Sequence, residues 1–354
     1  MRIVVDVSPL SHPRTGVGNY ILGSLHGLAE AAGGKHELVA FAPASEAGRR
    51  SIDAALDGLP FERVLPRLPA AHAWRTVWSK LQRPAAERFL GRFDVLHFGD
   101  WMYPPQRAGL RSTMVHDLVP LRHPEWTHGR TATMHGAKYR HMARTCDVIM
   151  ANSEYTANDV VEALGVPRGR LHVAYPGVEA QFDPVGERAQ LGRPYLLTVA
   201  TLEPRKNLAA LVEAYRLLDV DVALAIAGGE GWGGQARLDV PGVERLGFIP
   251  HEDLARWYRG ALAFVYPSRF EGFGMPVTEA MAAGTPCVVS SHPSLDEASG
   301  DAAVRADPDS PEELARAIER ALRERDELVR RGVEHARRFT WRACGEAHLQ
   351  AWAA

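Results

Sequence analysis

Two glutamates eight positions apart, Glu271 and Glu279, lie beside a turn that is suited to binding an anion. The apolar residues 263–266 predict a buried strand before this turn, and Pro276 favours a helix start after it, with Glu279 on the first turn. A helix N-terminus leaves backbone N–H groups unpaired at the positive end of the helix dipole. Such an arrangement readily binds phosphate groups.

The turn contains Gly272 and Gly274, whose missing Cβ atoms would let a ligand approach the backbone closely. The two neighbouring carboxylates would repel a bare phosphate, so we expect them to bind hydroxyl groups instead. A ligand that offers both phosphates and hydroxyls is a nucleotide sugar. The alternative is an ordinary turn of an α/β protein with two unrelated glutamates.

A second group of charged residues follows the predicted strand 195–200. Arg205 and Lys206 stand at the predicted start of a helix, where two cations add to the positive end of the dipole. This arrangement is unfavourable unless an anion binds. It therefore favours an anion site over a pair of solvated surface cations.

The segments 269–286 and 203–207 together resemble those of the retaining glycosyltransferases of family 4, which have the GT-B fold. The resemblance implies an α/β protein with two Rossmann-like parallel-sheet domains and a cleft between them. Strands and helices alternate along the sequence, as such sheets require. We predict an N-terminal acceptor-side domain over 1–180, a nucleotide-sugar-binding domain over 181–335, and a C-terminal helix over 336–354 that crosses back to the first domain.

The resemblance also implies roles for the charged residues. Arg205 and Lys206 would bind the donor diphosphate and neutralise it as it leaves. Glu271 would bind hydroxyls of the sugar ring, and Glu279 would bind hydroxyls of the ribose. His116 would lie across the cleft and contact the transferred sugar or position the acceptor; the alternative for one histidine at a strand end is a structural role. Since side chains would neutralise the leaving group, we expect no metal ion or other cofactor.

Further substrate contacts are implied for loops at the ends of other predicted strands and for backbone N–H groups of the glycine turn. These candidates are Gly16, Val17, Gly18, Asn152, Ser153, Gly228, Phe248, Ile249, Gly272, Phe273, Gly274 and Met275. Packing alone could explain the first glycines, and for Ser153 we favour capping of the following helix over ligand contact. Ile21 replaces the third glycine of a dinucleotide fingerprint, so a nicotinamide cofactor is the weaker interpretation.

Composition and charge exclude several function classes. The chain has 354 residues and a formal net charge of −2, so no overall field favours nucleic acid. Its three cysteines are widely spaced and form no metal-binding pattern, which predicts reduced thiols in a cytoplasmic protein. We expect no signal peptide, and no apolar stretch approaches the ~18 residues of a membrane span.

One segment leaves peripheral membrane contact open. Within 67–83, apolar residues at helical spacing are surrounded by basic ones. A basic amphipathic helix could touch anionic lipid at the inner face of the plasma membrane or a lipid-linked acceptor; a core-facing helix with solvated arginines is the favoured alternative. The residues are Trp74, Val77, Trp78 and Leu81, with Arg67, Arg75, Lys80 and Arg83.

The sequence thus predicts a retaining enzyme that moves a sugar from a nucleotide-diphosphate donor to a glycan or lipid-linked oligosaccharide acceptor in cell-surface polysaccharide or glycolipid synthesis. Resemblance to bacterial enzymes that use GDP-mannose favours mannose, and UDP-glucose, UDP-N-acetylglucosamine and dTDP-rhamnose stay open. Two alternatives are a GT-B nucleotide-sugar epimerase and a non-catalytic nucleotide-sugar-binding protein.

Overall fold

The computed structural model divides into two compact units. The N-terminal unit contains Met1–Leu118, Thr133–Gly177 and Thr340–Ala354, and the C-terminal unit contains Val119–Ala132 and Val178–Phe339. The structure describes residues 1–67, 78, 80–99, 105–127, 129–229, 231 and 238–354, with only the backbone described at 130 and 131.

The described strands form two parallel sheets, one in each unit. The N-terminal sheet has the order β3-β2-β1-β4-β5-β6-β7, and the C-terminal sheet has the order β10-β9-β8-β11-β12-β13. In chain order the strands are β1 (Arg2–Asp6), β2 (Glu37–Phe41), β3 (Glu62–Val64), β4 (Val95–Phe98), β5 (Leu110–Val115), β6 (Val148–Ala151), β7 (Leu171–Val173), β8 (Tyr195–Val199), β9 (Ala223–Ala227), β10 (Val243–Gly247), β11 (Ala263–Tyr266), β12 (Cys287–Ser290) and β13 (Ala303–Ala306). The alternation of strands and helices thus predicted parallel sheets correctly.

The central strands are buried along their whole length and mostly apolar, because helices cover both faces of a parallel sheet. Every residue of β4, β6, β9, β11 and β12 is buried. The described helices are α1 (Gly16–Ala32), α2 (Glu46–Ala55), α3 (Glu87–Leu90), α4 (Val119–Arg122), α5 (Gly129–Thr145), α6 (Glu154–Leu164), α7 (Leu208–Arg216), α8 (His251–Gly260), α9 (Met275–Ala282), α10 (Asp296–Ser299), α11 (Pro311–Arg323), α12 (Arg325–Ala336) and α13 (Trp341–Ala353). None of the helices in the described ranges combines the length and hydropathy needed to cross a bilayer.

Each sheet reverses its strand order once, between β1 and β4 and between β8 and β11. Loops diverge from such a reversal at the carboxyl ends of the strands, which is where open α/β sheets bind ligands. In the C-terminal unit, the loop after β8 carries Arg205 and Lys206, and the loop after β11 carries Glu271. The topology therefore brings the two predicted charged segments to one crevice.

The last helix, α13, belongs to the N-terminal unit and packs closely on α1. A Cβ built on Gly23 would lie 2.1 Å from the Trp341 ring, and one on Gly27 would lie 1.7 Å from the Trp341 backbone oxygen. Farther along α13, the Trp352 indole donates to Ser112 Oγ over 2.9 Å. The missing Cβ atoms at Gly23 and Gly27 are thus what lets α13 approach α1 so closely.

We expect Gly27→Ala to destabilise the protein by about 2 kcal/mol or more, because the new methyl group meets backbone that cannot rotate away. Thermal unfolding of the purified variant measures this. Gly16→Ala is the matched control on the same helix, since nothing lies within 4 Å of its Cβ position. A melting temperature for Gly27→Ala equal to that of the control would contradict the close packing.

The predicted basic amphipathic segment 67–83 lies largely outside the described residues. One member that the structure describes, Trp78, is fully buried. Its ring lies edge-on to Phe41 and Phe89, with centroids 5.9 Å away in each case. Trp78 is therefore a core residue, whereas Leu81 of the same predicted face is 68% exposed, so the described residues fit the core-facing interpretation at Trp78 and not at Leu81.

Candidate functional site

Three charged side chains meet at the carboxyl ends of β8 and β11. Lys206 Nζ lies 2.6 Å from Glu271 Oε1, and an Arg205 guanidinium nitrogen lies 2.9 Å from Glu271 Oε2. Glu271 and Lys206 are buried, and the Arg205 side chain is 17% exposed. Each oxygen of one carboxylate is therefore bound by a different cation.

Two further groups hold the cations in place. Arg205 Nε donates to Glu203 Oε2 over 2.9 Å, and the Glu203 side chain is only 7% exposed. Lys206 Nζ donates to the Tyr266 hydroxyl over 2.7 Å and lies 4.9 Å from the centroid of the Tyr266 ring. A cation held over an aromatic ring and between two acceptors has little rotamer freedom left, so its ammonium group is preorganised.

The cations precede α7 instead of forming its first turn, which corrects the sequence-based expectation. They lie in a separate 3-10 turn, Pro204–Lys206, and α7 begins only at Leu208. Asn207 joins the two with φ +56° and donates its side-chain N–H to the Pro308 carbonyl over 2.5 Å. In the structure, the carboxylates of Glu203 and Glu271 therefore balance the charges of Arg205 and Lys206.

Burial and pairing act in opposite directions on Glu271. Burial raises the pKa of its carboxyl, but Arg205 and Lys206 outweigh this effect and hold the pKa at about 2. For Lys206, burial and the neighbouring Arg205 lower the pKa of the ammonium group, against the attraction of Glu271. Both directions follow from burial and from the surrounding charges, since the carboxylates of Glu203 and Glu271 face the cations of Arg205 and Lys206.

The glycine turn leads into α9 as the sequence predicted, with Pro276 in its first turn. Gly274 is the N-cap at φ +99°, and a Cβ there would also lie 2.6 Å from the Leu295 side chain. Phe273 is buried with its ring edge-on to Phe339 at 5.2 Å. Its side chain thus belongs to the core, and only its backbone is left for the predicted ligand contact.

The second glutamate, Glu279, is the fifth residue of α9, so it lies just beyond the predicted first turn. It is 6% exposed, and the Tyr258 hydroxyl donates to its Oε2 over 3.1 Å. Burial raises the pKa of the Glu279 carboxyl, whereas His251 and the Tyr258 hydrogen bond lower it. Glu271 and Glu279 therefore differ: the first is held by two cations, the second by a neutral hydroxyl.

Other predicted residues of this unit lie at the carboxyl ends of β9 and β10. Gly228 has φ +149°, and a Cβ there would lie 1.9 Å from the Ala200 carbonyl oxygen, so packing alone explains this glycine. Phe248 is 65% exposed, and Ile249 beside it is half-buried. Their contact with a nucleoside stays a prediction.

In the N-terminal unit, His116 directly follows β5 and is half-buried. The ring of Tyr20 lies edge-on to it, with centroids 4.9 Å apart. Tyr20 is in turn fixed by a 3.0 Å hydrogen bond from its hydroxyl to the Ala174 carbonyl. The Tyr20 ring of α1 therefore packs against the imidazole of His116.

The remaining candidates lie at two helix starts of the same unit. Gly16, Val17 and Gly18 are the first residues of α1. Ser153 caps α6, since its Oγ accepts the Thr156 N–H over 2.9 Å, which confirms the capping prediction. Asn152 beside it is buried, and its Oδ1 has no hydrogen-bond partner among the described residues.

Sequence reasoning gave no role to three residues that hold the site together. Glu203 was part of a predicted segment without a function, and Tyr266 was only the last residue of an apolar strand. Tyr258 shares an apolar helix face with Leu254 and Ala255, a pattern that indicates core. Nothing in the sequence separates such a tyrosine from ordinary packing.

Comparison with known proteins identifies the family of this chain. The family model for Glycosyltransferase Family 4 matches residues 14–182, and the model for Glycosyl transferases group 1 matches residues 180–339. The chain belongs to glycosyltransferase family 4. The enzyme is 29% identical to the O-antigen chain mannosyltransferase B of Escherichia coli, over 99% of each chain.

Solved structures show the same fold at low identity. Sucrose-phosphate synthase from Thermosynechococcus elongatus superimposes with a TM-score of 0.73 at 17% identity, covering 100% of this glycosyltransferase and 98% of that chain. HepE from Anabaena, solved in complex with UDP and glucose, superimposes with a TM-score of 0.70 at 15% identity over 100% of both chains. The fold is thus GT-B, with two Rossmann-like parallel-sheet domains.

Proposed function

We propose that this glycosyltransferase is a retaining mannosyltransferase that uses a nucleotide-diphosphate sugar, with GDP-mannose favoured. The observation that carries the proposal is the buried cluster of Arg205, Lys206 and Glu271 at the carboxyl ends of β8 and β11. Its acceptor would be a glycan or a lipid-linked oligosaccharide in cell-surface polysaccharide or glycolipid synthesis. We further propose that it acts in the cytoplasm.

The proposed chemistry follows from how the cluster is charged. When the sugar leaves, negative charge grows on the diphosphate, and Arg205 and Lys206 stabilise that charge because they are already fixed and desolvated. No reorganisation of solvent is then needed at the moment of reaction. Since these side chains supply the positive charge, we propose that leaving-group stabilisation does not depend on a metal ion.

Glu271 contributes in two ways. It anchors both cations, and its oxygens can still accept hydrogen bonds from hydroxyls of the sugar, because an ionised carboxylate has about four acceptor sites and the cations use two. A pKa of about 2 keeps Glu271 ionised at neutral pH. The carboxylate thus links the position of the sugar to the position of the leaving group.

The identity of the sugar is supported by likeness alone. The relative that matches along its whole length is named a mannosyltransferase of O-antigen synthesis, which supports mannose and a polysaccharide acceptor. Exposed Phe248 at the end of β10 offers an aromatic face near the proposed nucleoside position. Stacking on an aromatic ring does not distinguish one nucleotide base from another, so the base of the donor has to be identified by affinity measurements.

Thermal-shift screening in EDTA against GDP-mannose, UDP-glucose, UDP-N-acetylglucosamine and dTDP-rhamnose should single out GDP-mannose. A ligand at a hundredfold excess over its Kd adds about 2.7 kcal/mol of stability. A transfer assay with the selected donor, followed by NMR of the product's anomeric proton, then tests retention. Absence of any shift would contradict the donor proposal, and binding without transfer to any glycan would favour the non-catalytic alternative.

A further inference from the structure

A tyrosine hydroxyl inside the C-terminal unit holds one oxygen of Glu279. Tyr258 is fully buried, and its hydroxyl donates to Glu279 Oε2 over 3.1 Å. Among the described residues, nothing forms a hydrogen bond with the other oxygen, Oε1. One end of the carboxylate is therefore fixed by the protein, and the other is left to accept from a ligand.

Tyr258 is itself held by two ring contacts and one hydrogen bond to its backbone. Its ring lies edge-on to Phe264 at 5.3 Å and to Phe182 at 5.8 Å. Its backbone carbonyl accepts the Thr285 hydroxyl over 2.6 Å, which ties the end of α8 to the segment after α9. Burial and the nearby Glu279 raise the pKa of the Tyr258 hydroxyl, so it remains protonated and acts as a donor.

The charged neighbours of Glu279 are already engaged. His251 Nε2 lies 3.0 Å from Glu179 Oε1, so this imidazole is directed to a different carboxylate. Hydrogen bonds to a charged acceptor are about twice as strong as neutral ones. The Tyr258 hydroxyl is therefore the group that selects the rotamer of Glu279.

We propose that Tyr258 is a positioning residue for the ribose of the nucleotide: it holds Glu279 so that Oε1 accepts a ribose hydroxyl. The inference rests on the proposed function, which assigns Glu279 to the ribose. It gives that site a substrate class, ribonucleoside diphosphates in preference to their 2′-deoxy counterparts. A carboxylate that turned freely would bind the ribose hydroxyl less tightly, because its rotation would have to be restricted when the nucleotide binds.

The test compares nucleotide binding to the full-length wild type and Tyr258→Phe, which removes the hydroxyl and keeps the ring. Isothermal titration with GDP, UDP and their 2′-deoxy forms should show a preference of about tenfold for the ribonucleotide in the wild type. In Tyr258→Phe we expect the Kd of the ribonucleotide to rise about tenfold and the preference to fall towards one. In donor kinetics, KM should rise while kcat stays nearly constant, because ribose binding is the same in ground and transition states.

Tyr215→Phe is the matched control. Tyr215 lies on α7 of the same unit, and its hydroxyl donates to the Val222 carbonyl over 2.8 Å. This variant loses a partly buried tyrosine hydrogen bond but should keep the nucleotide affinity of the wild type. A loss of affinity in both variants would show a structural effect and overturn the proposal.

Glu279→Gln separates the two levels of inference. If it leaves nucleotide affinity unchanged, the ribose role of Glu279 in the proposed function is wrong. If it weakens binding and Tyr258→Phe does not, the positioning role alone is wrong. With both correct, Tyr258→Phe should have no additional effect on affinity in the Glu279→Gln background, because the two changes act through one contact.

Discussion

Replacing Lys206 by methionine should reduce kcat/KM for sugar transfer by about a thousandfold while the protein remains folded. Removal of one preorganised donor from a site of developing negative charge costs about 10² to 10³ in rate. Here the lost group is also a buried cation, held at 2.6 Å from Glu271 and 2.7 Å from the Tyr266 hydroxyl. Methionine fills similar space above the Tyr266 ring, and Arg205 continues to pair with Glu271.

The measurement is a transfer assay with the donor selected by thermal shift, with circular dichroism to verify folding. Lys35→Met is the matched control, because Lys35 is exposed in the N-terminal unit. Lys206→Arg should also be strongly impaired, since the planar guanidinium does not reproduce a compact ammonium in a closed site. Transfer by Lys206→Met at the wild-type rate would refute the assignment of the leaving-group site.

Glu271→Gln should lower both transfer and stability, and the loss of stability should depend on pH. The glutamine keeps the shape of the side chain but leaves Arg205 and Lys206 buried without their shared counter-charge. In the folded protein the pKa of Glu271 falls from 4.5 to about 2, which corresponds to about 3 kcal/mol of stability at neutral pH. Transfer should fall more than a hundredfold, because the sugar loses its anionic acceptor and the cations lose their anchor.

The sign of the pH effect follows from the depressed pKa. The contribution of Glu271 is fully present above pH 4.5 and is lost as the pH falls towards 2, because the carboxyl must then be protonated in both folded and unfolded states. Urea unfolding of wild type and Glu271→Gln should therefore differ most near pH 7 and converge below pH 3. Glu252→Gln, at an exposed position of α8, is the matched control. A stability difference that stays constant over this range would contradict the ion-pair network.

Local sequence patterns predicted the elements well where the signal is local. The alternation of apolar strands with helices predicted the parallel sheets. Pro276 correctly predicted the start of α9, and Ser153 correctly predicted the N-cap of α6. These features depend on dihedral preferences and hydrogen bonds within a few residues. The start of α7 was placed too early because Asn207, in a left-handed conformation, separates the cations from the helix.

The sequence by itself determined the fold class, and two motifs with fixed residue types and spacing carried the resemblance to the family and marked two segments as the candidate site. The tertiary structure alone decided how the charges are shared. Glu271 is bound by both Arg205 and Lys206, and Tyr258 holds Glu279. Glu271 lies 66 positions from Arg205 along the chain, and no local pattern reports a contact over that separation. Such pairs form because the sheet brings the carboxyl ends of β8 and β11 together.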